Sequence, residues 1–279
     1  MIDAIPVIRV RAFECADTID ELAAEEPLEI RLEYGNADQL QAKSISVTMR
    51  TPGNDAELAL GFLFTEGIIS AAADVSGIAH LYMSCNDNRE NIIQVKLAEG
   101  LVPNLNTSER NFYTTSSCGV CGKSSINAIK TVKQYHQVNN DEYVVSASVL
   151  YALPELLRAH QDVFEKTGGL HASALFSTSG NFLMVREDVG RHNALDKLIG
   201  ASLNNGGLPL HDKVLLLSGR ASFELVQKAA MAGISIIAAV GAPSTLAVQL
   251  ADEFNITLCG FLRGQRFNIY TSPKRIILT

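Results

Sequence analysis

The sequence predicts an α/β chain, α+β overall, in which a C-terminal three-layer mixed sheet follows a smaller N-terminal α+β domain. Three observations predict it. Beyond about residue 170, short continuous apolar runs alternate with helical segments, the pattern of strands covered on both faces. The first hundred residues instead show alternating strands broken by one helical interlude. Between them lies a polar stretch with Pro103, Asn104, Asn106, Thr107 and Ser108, which reads as a linker or lid. At 279 residues the chain can hold one large domain or two ordinary ones. The division reads as 1–112 for the N-terminal domain, 113–140 for a cysteine loop and its helix, and 141–279 for the C-terminal domain.

Taken in order, Val7 to Phe13, Leu28 to Tyr34, Ser44 to Met49 and Asn91 to Leu97 read as strands. After Thr51-Pro52-Gly53, Asp55 is placed to cap a helix over Ala56 to Phe64. Ile126, Ile129, Val132 and Tyr135 recur once per turn and predict a helix from Ser125 to His136. His171 to Phe176 and Asn181 to Arg186 form a hairpin across Ser177-Thr178-Ser179-Gly180, so the sheet is mixed. Asn193 is placed to cap a helix whose buried face is Leu195, Leu198 and Ile199. Val214 to Leu217, Ile234 to Val240 and Ile256 to Phe261 read as strands, with helices Ser222 to Met231 and Ser244 to Phe254 between them. These make two consecutive βαβ units, whose sites are expected at the C-terminal strand ends.

Composition narrows the function. With 23 Lys and Arg against 30 Asp and Glu, the net charge of −7 argues against general binding to nucleic acid or to a membrane surface. No apolar run approaches a membrane span, the N-terminus lacks a leader pattern, and five scattered cysteines are no disulfide framework. A cytoplasmic location, where thiols stay reduced, is expected.

The most chemical stretch is Cys118-Gly119-Val120-Cys121-Gly122-Lys123. It places two thiols just before a helix N-terminus, where unpaired N–H groups and the Lys123 ammonium favour thiolate. The glycines remove bulk beside each sulfur. A structural zinc would need about four ligands, yet Cys15, Cys85 and Cys259 are isolated and no histidine has finger-like spacing, so no metal is expected. A thioredoxin-type dithiol fits the spacer, but the preceding Tyr113-Thr114-Thr115-Ser116-Ser117 is polar rather than a hydrophobic strand. An inert pair is the remaining alternative.

Other segments suggest a ligand. Thr167-Gly168-Gly169-Leu170-His171 sets a histidine after a glycine pair, either beside a ligand or as a core histidine. Arg186 to Lys197 crowds acids, bases and a histidine around Gly190 at a strand-to-helix junction, where Arg191 and His192 can hold an anion; the bland reading is a charge-paired turn. Ser218-Gly219-Arg220, Gly241-Ala242-Pro243-Ser244 and Arg263-Gly264-Gln265-Arg266 follow three successive strands. Each alone is an ordinary connection, but together they suit a nucleotide-sized ligand.

On these residues the chain resembles the formate dehydrogenase accessory sulfurtransferase (FdhD) family. The resemblance rests on Thr51-Pro52-Gly53 with Glu57 to Leu63, the Cys118 motif, Thr167 to His171, Glu187 to Lys197, Ser218-Gly219-Arg220 and Gly260 to Gly264. It implies a homodimeric sulfurtransferase that takes persulfide sulfur from a cysteine desulfurase. The sulfur goes to the molybdenum cofactor, a bis(molybdopterin guanine dinucleotide) bound as substrate, for formate dehydrogenase. It implies Cys118 as the persulfide carrier; Cys121 is either an alternate acceptor or the thiol that attacks the Cys118 persulfide, releasing sulfide and leaving a disulfide. Phe261, Leu262, Arg263, Gly264, Gln265 and Arg266 are implied at the guanine dinucleotide. Positive charge for its phosphates falls to Arg191, His192, Arg220, Arg263 and Arg266, with His171 and Gly219 alongside and Asp188 or Glu187 accepting from guanine. The family's larger domain is cytidine-deaminase-like, but His171-Ala172-Ser173 lacks the deaminase glutamate and the Cys-x-x-Cys lies upstream of it, so deaminase chemistry is not expected. The alternative function is a non-catalytic chaperone that binds the cofactor during formate dehydrogenase maturation.

Overall fold

The structure, a computed structural model, describes residues 1–36, 38–81, 91–103, 105 and 143–278. The Cys118 motif, the expected helix over Ser125 to His136 and nearly all of the polar linker lie outside the described residues.

The chain opens with an antiparallel hairpin of β1 (Ile2–Arg11) and β2 (Glu14–Ala23). The single strand expected over Val7 to Phe13 is corrected here: Ala12 and Phe13 both take left-handed backbone and form the turn. Burial does not mark this ribbon, since Ile8, Val10 and Ile19 are all exposed, and so the apolar alternation misplaces its ends. A four-stranded sheet follows, built from β3 (Glu26–Tyr34), β4 (Gln41–Arg50), β5 (Val75–His80) and β6 (Ile92–Leu97) in the order β4-β3-β6-β5. Leu28, Ile30 and Leu32 of β3 and Ile93, Val95 and Leu97 of β6 alternate inward, as period-2 burial requires. That face packs on α1 (Asp55–Thr65). Asp55 is not the cap. Asn54 holds that position, and Asp55 turns back to Arg50, Nη2 to Oδ2 3.0 Å, because a guanidinium only 1% exposed needs a countercharge.

The second half comprises β7 (Val145–Ser146), α2 (Ala147–Arg158), α3 (Asp162–Thr167), β8 (His171–Ser177), β9 (Phe182–Asp188) and α4 (Arg191–Asn204). After these come β10 (Lys213–Leu217), α5 (Phe223–Met231), β11 (Ile236–Ala239), α6 (Thr245–Glu253), β12 (Thr257–Arg263), β13 (Arg266–Thr271) and β14 (Ile276–Ile277). Six of these strands form one mixed sheet in the order β13-β12-β11-β10-β8-β9, with β10, β11 and β12 parallel and their neighbours antiparallel. Leu215, Leu217 and Ile237 face α4, α5 and α6, while Val214, Leu216 and Ala238 face α2. Helix α2 escapes sequence reading because Pro154 sits inside it and reads as a break.

Helix α4 is buried from His192 to Leu203, held between α1 and the six-stranded sheet. Gly61 of α1 and Gly200 of α4 let the two helices touch: a Cβ on either would lie 1.9 Å from a backbone carbonyl oxygen of the other helix, that of Asp196 or of Glu57. One apolar cluster therefore runs from the four-stranded sheet through α1 and α4 to the six-stranded sheet.

Candidate functional site

The parallel strands end in loops that bond to one another. Gly241 N–H donates to the Gly219 carbonyl (3.0 Å), Phe261 N–H to the Gly241 carbonyl (3.0 Å) and Ala221 N–H to the Ala242 carbonyl (3.2 Å). These bonds join two βα connections and the end of β12 into a single edge. A Cβ at Gly219 would stand 3.2 Å from His171 Nδ1, which brings the start of β8 to the same edge. At its far end Phe261 takes a left-handed φ of 55° next to a bulge in β12. For a residue with a side chain such backbone costs about 1–3 kcal/mol and concentrates at ligand sites.

The sequence-marked residues divide along this edge. Arg263 and Arg266 face each other across the exposed turn between β12 and β13, with Gly264 and Gln265 at its tip. Neither arginine has an ion-pair partner among the described residues, and the Arg263 guanidinium stands 6.0 Å from the centre of the Phe261 ring. Phe261, Arg263, Arg266 and Asn268 line a depression of about 260 Å³. Leu262 points the other way, into the core beneath α2, so only its backbone belongs to the edge.

His171, Arg191, His192 and Arg220 form a second, cationic corner. His192 Nε2 meets Glu224 Oε2 at 3.0 Å and Ser222 Oγ at 3.2 Å, whereas its buried Nδ1 and the buried Nε of Arg191 have no hydrogen-bond partner. Glu224 is not marked by the sequence, because its link to His192 spans about thirty residues. Burial, with Arg191, His192 and Arg220 as cationic neighbours, holds His171 below its ordinary 6.5 against the opposing pull of Asp188. Near pH 6 the folded chain thus binds fewer protons here than the unfolded one. The stability His171 contributes is complete above about pH 6.5 and is lost as pH falls toward its folded value. An NMR titration of the His171 ring is expected to give a midpoint below 6.5, rising when an anion occupies the corner. A midpoint at or above 6.5 in the free protein would contradict this.

Asp188 is placed differently. Its carboxylate is fully buried, pairs with Lys197 Nζ at 2.7 Å and accepts from the backbone N–H groups of Gly190 (2.8 Å) and Thr51 (3.1 Å) and from Asn193 Nδ2 (3.1 Å). Glu187 accepts from Val163 N–H and Phe164 N–H in the first turn of α3. Both carboxylates thus already accept from groups within the protein. The expected cap at Asn193 is likewise corrected: Gly190 holds that position, and Asn193 donates to the Met49 carbonyl at 2.8 Å. Asp196 completes the set, pairing with Lys228 at 2.8 Å and accepting from Thr65 Oγ1 at 2.9 Å. Most of the charge in Glu187 to Lys197 therefore joins α4 to the strands and helices around it.

Of the cysteines, Cys85, Cys118 and Cys121 lie outside the described residues, Cys15 is exposed and Cys259 is buried. Burial pushes the Cys259 thiol up to about 12, so it is no nucleophile. Among the described residues no cluster of three or more His, Cys, Asp or Glu is arranged to hold a metal, and no helix is long and apolar enough to cross a membrane.

Known proteins resemble this chain in sequence and fold. The model of the FdhD/NarQ family matches residues 23–277. The chain belongs to that family. It is 50% identical to the sulfur carrier protein FdhD of Streptomyces coelicolor, over 98% of this chain and 94% of that one. It is 54% identical to that of Mycolicibacterium paratuberculosis over 92% of both, and 41% identical to that of Sulfolobus acidocaldarius over 98% of both. A Desulfotalea psychrophila crystal structure, described as that of a formate dehydrogenase accessory protein, matches the fold with a TM-score of 0.73, 22% identity and 99% of both chains covered. The FdhD/NarQ chain thus has a mixed α/β fold whose strand-end edge carries arginines without countercharges.

Proposed function

We propose that this chain is a sulfur carrier for formate dehydrogenase maturation, with Cys118 as the thiol that bears the sulfur. The observation that carries the reading is identity of 41–54% along nearly the whole chain to relatives named as sulfur carrier proteins. The Cys118 thiolate attacks the outer sulfur of a donor persulfide, supplied by a cysteine desulfurase. A new sulfur–sulfur bond forms, the donor's breaks, and the donor leaves as a thiolate. Cys121 then attacks the Cys118 sulfur, which releases sulfide and leaves a disulfide, so the cysteine pair supplies the two electrons.

The acceptor is the bis(molybdopterin guanine dinucleotide) of molybdenum, bound as substrate along the strand-end edge. The turn from Phe261 to Arg266 receives a guanine nucleotide end, and the corner of His171, Arg191, His192 and Arg220 receives phosphate. In support, both regions hold cationic groups that no carboxylate neutralises completely, and phosphate oxygens suit guanidinium donors. The reading takes the chain as a cytoplasmic homodimer whose six-stranded layer is deaminase-like in outline without deaminase chemistry.

Two measurements test it. After incubation with a cysteine desulfurase and cysteine, intact mass is expected to rise by one sulfur, and Cys118→Ala to abolish the gain. No gain in the wild type favours a cofactor-binding chaperone instead. GDP is expected to raise the melting temperature, since a ligand that binds only the folded chain at a hundred times its Kd adds about 2.7 kcal/mol. Arg263→Ala with Arg266→Ala should remove most of that shift, and an unchanged shift would move the nucleotide elsewhere.

A further inference from the structure

The ribbon of β1 and β2 pairs ten residues of each strand and rests on α3 through β2. Residues opposite each other across an antiparallel ribbon share a face, and neighbours along a strand alternate. Val7, Thr18 and Asp20 are half-buried on one face, where Arg9 pairs with Asp20 at 3.2 Å and Arg11 stands opposite Glu14. The other face is open to water. Pro6, Ile8, Val10, Cys15 and Ile19 form an apolar stripe along it, with Ile8, Val10 and Ile19 exposed by 68%, 63% and 66%. The charged side chains of this face are Asp17 and Glu21, two carboxylates with no base beside them.

A two-stranded ribbon is marginal in water by itself, and a continuous apolar face left in solvent marks a contact site. The tip adds an aromatic ring. A turn whose two residues are both left-handed favours Asn-Gly, yet this one is Ala12-Phe13, and Phe13 is fully exposed. A bulky side chain is thus held in water on unfavourable backbone, and aromatic side chains are those that anchor protein contacts.

Charge and size decide what covers the face. Pro6 in β1 and the carboxylates of β2 disfavour addition of a strand at either edge. A second copy set face to face would bring carboxylates against carboxylates. Ten residues by two strands outline about 330 Å², less than half of the roughly 800 Å² that each partner gives to a stable interface. The face therefore suits a partner that binds briefly and leaves, through an apolar surface carrying Lys or Arg. A sulfur donor must do this at every turnover. The ribbon also stands clear of the nucleotide turn: α3 bonds to Glu187 of β9, and four strand spacings, about 19 Å, separate β9 from β12. A protein seated there leaves Phe261 to Arg266 open, which suits the donor better than the protein that collects the cofactor. We propose that the outer face of the β1–β2 ribbon, with Phe13 at its tip, is the docking surface for the cysteine desulfurase. This inference rests on the sulfur-carrier reading for the identity of the partner.

The test uses the full chain and purified cysteine desulfurase, with binding followed by biolayer interferometry at low and high salt. Wild-type binding is expected to exchange fast and to weaken with salt. Ile8→Asp with Ile19→Asp should weaken it about tenfold. Asp17→Lys with Glu21→Lys should slow association several-fold and remove most of the salt dependence. Both pairs should keep the melting temperature of the wild type, since all four side chains are exposed. The proposal is overturned if the wild type does not bind the desulfurase or if neither pair weakens binding. It is equally overturned if sedimentation shows that either pair breaks a dimer, since the face then belongs to a second copy. Should Ile8→Asp with Ile19→Asp fail to fold, Phe13→Ser carries the same test, with a loss of several-fold expected and no loss overturning the proposal. Persulfide loading of Cys118 in the same samples separates the two readings. Loading with no dependence on the ribbon sinks the docking face alone, whereas ribbon-dependent binding without loading in the wild type sinks the sulfur carrier alone.

Discussion

Lys197→Met is expected to lower the unfolding free energy by about 3–5 kcal/mol, the cost of stranding a buried carboxylate without its partner. Lys197 is 1% exposed, stands 2.7 Å from Asp188 and donates to the Thr51 carbonyl at 2.8 Å. Thr51 in turn gives its backbone N–H to Asp188, so one ion pair ties β9 and α4 to the segment that enters α1. For a chain of this size each kcal/mol is worth roughly 2–4 °C, so a fall of about 10 °C in melting temperature is the thermal counterpart. Replacing both partners, Lys197→Met with Asp188→Asn, should recover part of the loss, because the neutral amide leaves no buried charge while its oxygen still accepts from the N–H groups of Gly190 and Thr51. Urea and thermal denaturation of the three proteins measure this. A single-variant loss below about 1 kcal/mol would mean that water reaches Asp188 and that the pair is not the buried clamp described here.

Gly200→Ala is expected to cost about 3 kcal/mol or more, at the upper end of overpacking. The new methyl would lie 1.9 Å from the Glu57 carbonyl oxygen, a contact with backbone that no side-chain rotation relieves. Helices α1 and α4 would have to separate along their length, and the cluster they share with both sheets would open with them. Gly77→Ala is the matched control, since a Cβ there meets nothing within 4 Å; it should change stability by less than about 0.5 kcal/mol. Equal effects at the two positions would refute the close crossing. A glycine at position 61 or 200 reads in sequence as a weak point in a helix, when here it is the point of contact.

The elements that sequence reading located have a buried face, alternating or helical in β3, β4, β6, α1 and α4 and continuous in most of the six-stranded sheet. The hairpin of β8 and β9 and the run from β10 to β12 are five strands and two helices, and each lies within a few residues of its expected place. In β8, β10, β11 and β12 most residues are buried, so the apolar runs and burial agree, and β9 at the sheet edge is placed by its hairpin turn. Reading fails where burial is absent or the signal is local. The exposed β1–β2 ribbon has no inner face to set its ends, Pro154 hides α2, and β13 alternates at an edge with its outer residues in water. The two misplaced caps, Asp55 and Asn193, share one cause: each side chain is drawn to a stronger partner that arrives from another element, Arg50 or the Met49 carbonyl.

The residues that mark the site were legible as residue types at spacings that chemistry needs: two thiols beside glycines, arginines after strands, a histidine after a glycine pair. What each does was not. Asp188, Asn193, Asp196 and Lys197 stand in the same short motif as Arg191 and His192, yet the first four bind the protein to itself while Arg191 and His192 keep donor atoms unpaired. Sequence by itself determined the mixed α/β class, the chain order of the buried strands and the family, because these depend on patterns carried along the chain. Only the tertiary structure decided which charges are satisfied and which remain for a ligand, because a charged group's role depends on what surrounds it once water is removed, and those neighbours come from distant parts of the chain.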